Sequence, residues 1–183
     1  MARATKILSK RRANGGIVLI FVTVGTHEQG MERLLIELDD LIENGDIQED
    51  IFAQIGYSTY KPKNYKYKKM ISYDEMDLYV KDANIIITHG GPGSIFHAIQ
   101  YNKIPIVVPR NPEFNEHVDN HQILFTKRLQ NENKVIGIYD INELALNIKE
   151  YYTLSEKCSI DKSSNELFIN KFENAINRIT RRI

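Results

Sequence analysis

Asn84–Thr88 (NIIIT) is an apolar run that passes directly into His89-Gly90-Gly91-Pro92-Gly93-Ser94 and then into a helical pattern over Ile95–Tyr101. No polar residue alternates within the run, so the strand it predicts is buried on both faces. Both faces of such a sheet must be covered by helices. The turn that follows carries three glycines, which allow a tight bend and close approach to a ligand or to another backbone. One segment therefore already requires an α/β fold with a mostly parallel sheet.

The rest of the chain agrees. Ile17–Val24 (IVLIFVTV) reads as a second buried strand, ended by Gly25. Met31, Leu34, Leu35, Leu38, Leu41 and Ile42 recur at helical spacing, and Asn44-Gly45 stops that helix. Ile51–Ile55 is a strand, the end of Tyr57–Met70 with Ile71 a third, and Asp74–Lys81 a short helix. Ile104–Val108 and Val135–Ile138 read as strands, and His117–Leu129 and Ile141–Tyr152 as helices. Residues 17–154 thus form one Rossmann-like domain. Residues 155–165 are a polar link, and Leu167–Ile179 is a terminal helix. Residues 1–16 form a basic extension or an added tag. Their five cations followed by an apolar run resemble a signal peptide, but no small-x-small cleavage site follows and the run is rich in β-branched residues.

Composition narrows function by exclusion. The 183 residues carry 24 Lys+Arg and 24 Asp+Glu, a balance unlike that of a general nucleic-acid binder. The 42% apolar content argues against disorder. The single cysteine, Cys158, excludes an intrachain disulfide framework and a multi-cysteine zinc site, and suits a reducing cytoplasmic setting. Tyr57–Met70 interleaves five lysines with four tyrosines and has no acid. A solvated loop is the default reading of it, and a membrane or partner surface the next.

In parallel sheets ligands bind at the carboxyl ends of the strands. Three segments there could carry chemistry. In the first, Gly90, Gly91 and Gly93 open the backbone, and Ser94 can cap the helix whose free N–H groups form an anion site. That suits a phosphate or diphosphate, although neither GxxxxGK[ST] nor GxGxxG is present. The alternative is a turn that only links strand to helix. In the second, Gly25 and Thr26 could touch a phosphate, and His27 could act as a general base with Glu28 beside it. The alternative makes Thr26 a helix cap and Glu28 a favourable charge at the helix start. In the third, Arg110 follows a strand where a guanidinium could meet an anion, and Asn120, His121 and Gln122 offer the hydrogen-bonding groups of polyol recognition. His117 and His121 are four apart, but HExxH and a third ligand are absent, so a metal site is disfavoured. His97, inside a helix, reads as a packing residue.

Together these blocks resemble a known family. VTVGTHEQ (22–29), AQIGYS (53–58), ISYDEMDLYVKDANIIITHGGPGS (71–94), IPIVVPR (104–110) and EHVDNHQ (116–122) are similar to the donor-binding, C-terminal half of GT-B glycosyltransferases. Within that group they most resemble the short catalytic subunits of two-component UDP-sugar transferases, both of capsule and exopolysaccharide assembly and of the dolichol-linked GlcNAc transferase. The likeness runs from about Ile20 to Leu129.

The resemblance implies a UDP-sugar donor, inversion at the anomeric carbon, and no cofactor or metal. Gly25 and Thr26 would line the diphosphate, which His89, Gly90, Gly91, Gly93 and Ser94 would cradle. Asn120, His121 and Gln122 would approach the sugar. The VPR…EHVDNHQ wording looks most like capsular subunits that use UDP-galactose, with UDP-GlcNAc the nearest alternative and a non-catalytic scaffold subunit the next. Many relatives carry Glu where His97 stands here, to hold the ribose hydroxyls. The chain has length for one of the two domains that a GT-B enzyme needs. The resemblance therefore implies a membrane-anchored partner subunit, a polyprenyl-diphosphate-linked acceptor, and a cytoplasmic protein peripheral to the inner membrane face. An isolated half could also self-associate through the partner surface.

Overall fold

The computed structural model describes residues 18–158. The expected terminal helix at Leu167–Ile179 and the basic extension at 1–16 lie outside them. Six strands form one sheet: β1 (Leu19–Thr23), β2 (Asp50–Gln54), β3 (Lys66–Lys68), β4 (Ile85–Thr88), β5 (Ile106–Val107) and β6 (Ile136–Gly137). Their order is β3-β2-β1-β4-β5-β6, and every pairing is parallel. This is the Rossmann-like arrangement that the apolar runs require. The order reverses between β1 and β4, so the carboxyl ends of those two strands mark the switch point.

Side chains alternate along each strand, and that alternation sorts the core into two layers. Ile20, Val22 and Val24 point to the face covered by α1 (Glu32–Glu43), where Leu34, Leu35 and Leu38 are fully buried. Leu144 and Ile148 of α5 (Leu144–Lys149) and Tyr151 of α6 (Tyr151–Glu156) complete that layer. Phe21 points the other way. It packs with Phe52 and with Tyr79 of α2 (Tyr73–Asp82), the Phe52 and Tyr79 rings stacking at 4.0 Å. Ile95 and Ile99 of α3 (Pro92–Gln100) meet Leu129 of α4 (His121–Asn131) on the same side. Each such buried side chain contributes about 1.5–3 kcal/mol.

Several boundaries differ from the sequence reading. The helix after the glycine turn begins at Pro92, inside the turn, because proline's fixed φ suits a first helical position. Gly91 is therefore the N-cap, and Ser94 lies in the first turn instead of capping it. The helix expected from His117 starts at His121. Thr26 caps nothing, since α1 starts only at Glu32. The helix expected over Ile141–Tyr152 is broken into a 3-10 turn (Ile141–Glu143), α5 and α6. Helix α2 is the best-defined start: Ser72 Oγ accepts from the Glu75 amide while the Glu75 carboxylate accepts from the Ser72 amide.

Candidate functional site

The switch point opens into a cleft of about 330 Å³. Its polar end is made by Thr23, Gly25 and Thr26 after β1, and by His89, Gly91, Gly93 and Ser94 after β4. Its other wall is Ile71, Tyr73 and Met76, from the start of α2. A side lobe of about 230 Å³ shares Thr23, Met76, Gly93 and Ser94 and runs to His97. A larger hollow of about 560 Å³ lies beside Gly45–Glu49 and Lys149, before β2 and against α5. It has no part of the glycine turn, so the switch-point cleft is the site where chemistry is concentrated.

The strand ends are locked together. Thr23 donates from its hydroxyl to Gln54 Oε1 at 2.6 Å and accepts from the Gly25 amide at 3.2 Å. The Gly25 backbone has φ +76°, a left-handed conformation that favours glycine. A Cβ on Gly25 would come within 2.5 Å of His89 Cε1, and one on Gly91 would overlap His89 Nε2. The imidazole of His89 is thus held between the two turns. Its Nδ1 is buried with no hydrogen-bond partner. Burial, then the nearby Arg110 guanidinium, pushes its pKa down to about 4, so the ring is neutral near pH 7.

The other two glycines differ. A Cβ on Gly90 would meet Gln122 Cβ at 2.8 Å, so Gly90 serves the close packing of α4 on the turn. A Cβ on Gly93 would meet nothing within 4 Å. Gly93 faces open space at the first turn of α3, where amide groups have no intrahelical acceptor. A buried polar atom with no partner, free helix amides and an open approach together make a site for an anionic group.

The sequence profile of the glycosyltransferase family 28 C-terminal domain matches residues 19–179. The chain belongs to that family. Its fold is the C-terminal, Rossmann-like half of a GT-B glycosyltransferase. The glycotransferase of kitacinnamycin superposes with a TM-score of 0.63 at 15% identity, over 92% of this chain and 44% of that one. MurG of Acinetobacter baumannii gives 0.54 at 17% identity, over 82% and 48%. The glycosyltransferase SnogD of Streptomyces nogalater gives 0.52 at 17%, over 86% and 44%. The family 28 chain here therefore spans less than half the length of these structures. No curated protein sequence matches it.

Within this family 28 domain, Gly25, Thr26, His89, Gly91, Gly93 and Ser94 are the sequence candidates that line the cleft. Arg110 does not line it. Its guanidinium is fully buried and donates to the carbonyls of Val24, Gln29, Gly30 and Glu116 at 2.7–3.1 Å. The expected anion contact is replaced by a scaffold role: Arg110 ties the loop after β1 to the loop after β5.

His27, the expected general base, is not among the residues that line the cleft. Its Nδ1 accepts the Gln29 amide at 3.2 Å, so in the neutral ring Nε2 carries the proton and donates. Burial, the neighbouring His117 and then Arg110 hold its pKa below the ordinary value. The two rings lie 4.8 Å apart, and His117 Nδ1 faces both the Asp119 amide at 3.3 Å and Asp119 Oδ1 at 3.1 Å. Glu28 is exposed and lines no part of the cleft.

Asn120 and His121 stand exposed at the start of α4. Gln122 accepts the Arg110 amide through Oε1 at 3.2 Å and packs on Gly90. His97 pairs through Nε2 with Asp77 at 3.0 Å and lies parallel to Tyr73 at 5.9 Å. Among the described residues, no group of His, Cys, Asp and Glu could hold a metal ion, and no helix is long and apolar enough to cross a membrane.

The sequence reading missed Thr23, Gln54, Ile71, Ser72, Tyr73 and Met76 as cleft residues. One signal was available for part of this wall. Ser72-x-x-Glu75 is a capping box that fixes where α2 begins.

Proposed function

We propose that this chain is the catalytic, donor-binding subunit of a two-component inverting glycosyltransferase. It takes a UDP-sugar, with galactose the favoured sugar. It delivers that sugar to a polyprenyl-diphosphate-linked saccharide in capsule or exopolysaccharide synthesis. A membrane-anchored partner supplies the acceptor half and brings the protein to the inner membrane face. The observation that carries the reading is the His89 clamp beside the free first turn of α3.

The chemistry follows from that arrangement. The amides at Gly93 and Ser94 and the positive end of α3 favour the diphosphate, and favour it more as the sugar leaves and negative charge grows. The neutral His89 imidazole adds a neutral group to this cradle. The apolar wall of Ile71, Tyr73 and Met76 suits a planar base. Asn120, His121 and Gln122 are the proposed contacts of the sugar.

Calorimetric titration with UDP, UDP-galactose, UDP-GlcNAc and ADP, with and without magnesium, tests this. Preference for UDP over ADP without a magnesium requirement supports the reading, and the sugar ranking decides between galactose and GlcNAc. Equal binding of ADP and UDP refutes it. UDP-sugar binding with no turnover in the presence of the membrane partner would favour a scaffold subunit.

A further inference from the structure

The lysine- and tyrosine-rich stretch Tyr57–Met70 is fastened to α1 and ends in β3, the edge strand of the sheet. Ser58 Oγ accepts the Met31 amide at 2.9 Å, and Thr59 donates its amide and its hydroxyl to the Glu32 carboxylate at 2.7 and 3.1 Å. The buried Asp39 carboxylate accepts the Tyr60 hydroxyl at 2.8 Å and the amides of Lys63 and Asn64 at 2.7 and 2.8 Å. The Tyr65 hydroxyl donates to the Leu35 carbonyl at 2.9 Å. Three of the four tyrosines are thereby taken up by the fold: Tyr65 is buried, and Tyr60 and Tyr67 pack against the core. The five lysines all remain exposed. Lys68 pairs with Glu75 at 2.5 Å, whereas Lys61, Lys63, Lys66 and Lys69 make no ion pair among the described residues. These four outnumber Asp40 and Glu43, the acids of α1 that act on the Tyr60 end of the stretch.

We propose that this edge is a membrane face: Lys61, Lys63, Lys66 and Lys69 lie against the anionic headgroups of a bilayer, and the chain makes that contact itself, without a partner. The inference goes beyond the transferase reading and does not depend on it. Two features favour lipid over RNA. Single strands are held largely by stacking on exposed rings, and most of the rings here are spent on packing. The side chains left exposed at the ends of the stretch are Tyr57, at 58%, and Met70, at 41%, an amphipathic ring and a flexible apolar chain that suit the headgroup level. The edge also adjoins the cleft. The Gly56 amide donates to the Lys69 carbonyl at 2.8 Å, and Gly56 lies so close to the Gly25 carbonyl that an added Cβ would collide with it. Gln54, which lines the cleft, reaches Met70 Sδ at 3.7 Å. A bilayer against Lys69 and Met70 thus places the cleft beside the headgroup layer, where an acceptor carried on a lipid is presented.

Vesicle sedimentation with the full-length chain tests this. The starting chain has Arg3, Lys6, Lys10, Arg11 and Arg12 changed to Gln, which removes the basic extension's own attraction for anions. It is expected to bind vesicles of phosphatidylcholine with about 30% phosphatidylglycerol, to ignore pure phosphatidylcholine, and to let go as salt is raised. Lys61→Gln, Lys63→Gln, Lys66→Gln and Lys69→Gln together are expected to weaken binding about 100-fold or more, at about fivefold per lysine. The same change at four other exposed lysines, Lys81, Lys127, Lys149 and Lys157, should leave it within about threefold. Neither set should move the melting temperature. Equal loss from the two sets, loss from neither, or no binding by the starting chain overturns the proposal. So does tighter binding of an oligouridylate about 20 residues long, which would make the edge a nucleic-acid strip. Failure to bind UDP would refute the donor-binding reading and leave this one standing.

Discussion

The imidazole of His89 occupies the space that a side chain at Gly91 would need. Gly91 is thus glycine because of a neighbour two residues away, and the turn is shaped around that ring. Gly91→Ala is expected to push His89 out of its slot and weaken UDP binding about tenfold, or roughly 1.4 kcal/mol. Gly93→Val should weaken UDP binding at least as much while leaving thermal stability nearly unchanged, since a Cβ there would meet nothing within 4 Å. Titration and melting curves on both variants separate the two effects.

His89 also gives the fold an acid sensitivity. In the folded chain its pKa is pushed down to about 4, against 6.5 when unexposed to burial. Between those values the unfolded chain binds a proton that the native chain refuses. Stability therefore falls as pH drops through 6.5 and levels off below about 4. The expected loss from pH 7.5 to pH 5 is about 2 kcal/mol. Urea unfolding at the two pH values measures it, and His89→Gln should remove most of the difference.

Arg110 links segments more than 80 residues apart in sequence, from Val24 to its own strand end. Arg110→Met keeps the apolar stem but leaves four carbonyls without a donor. The expected cost is about 3 kcal/mol in urea unfolding. Arg110→Lys should recover little of it, because one ammonium cannot span four carbonyls from two loops.

Lys103 closes the far end of α2. Its ammonium donates to the carbonyls of Val80 and Lys81 at 2.6 Å, and to that of Ala83. Those are the carbonyls that a helix end leaves without a partner. Lys103→Met should cost about 1–2 kcal/mol and loosen the helix whose other end forms the cleft wall. Hydrogen exchange of the Val80–Ala83 amides would report the loosening directly.

Most strands were legible because they lie in apolar runs, and burial on two faces leaves little choice of sheet; β3, Lys66–Lys68, is an exposed edge without such a run. Element order along the chain followed from that, whereas the strand order that sets the switch point came from the pairings. Contacts between distant segments left no local trace. A glycine reads the same whether it faces open space, as at Gly93, or makes room for a side chain, as at Gly25 and Gly91. Arg110 after a strand reads as a ligand contact unless the carbonyls of residues 24–30 are known to face it. The break between Lys149 and Tyr151 was hidden because Leu144, Ile148 and Tyr151 keep helical spacing across it. The contacts of the His27 and His121 rings depend on single partners within two residues, which periodicity does not reveal.

Gly90 lets α4 sit so close to the glycine turn that a single added carbon would collide with Gln122. The same helix turn is braced by the Thr126 hydroxyl, which donates to the Gln122 carbonyl at 2.7 Å. There is no slack at this joint. A ligand that reshapes the turn must also tilt the start of α4, and a molecule pressing on the rim near His121 must strain the turn. Occupancy of the cleft and engagement of the rim are geared to each other, so each should register in the dissociation rate of the other.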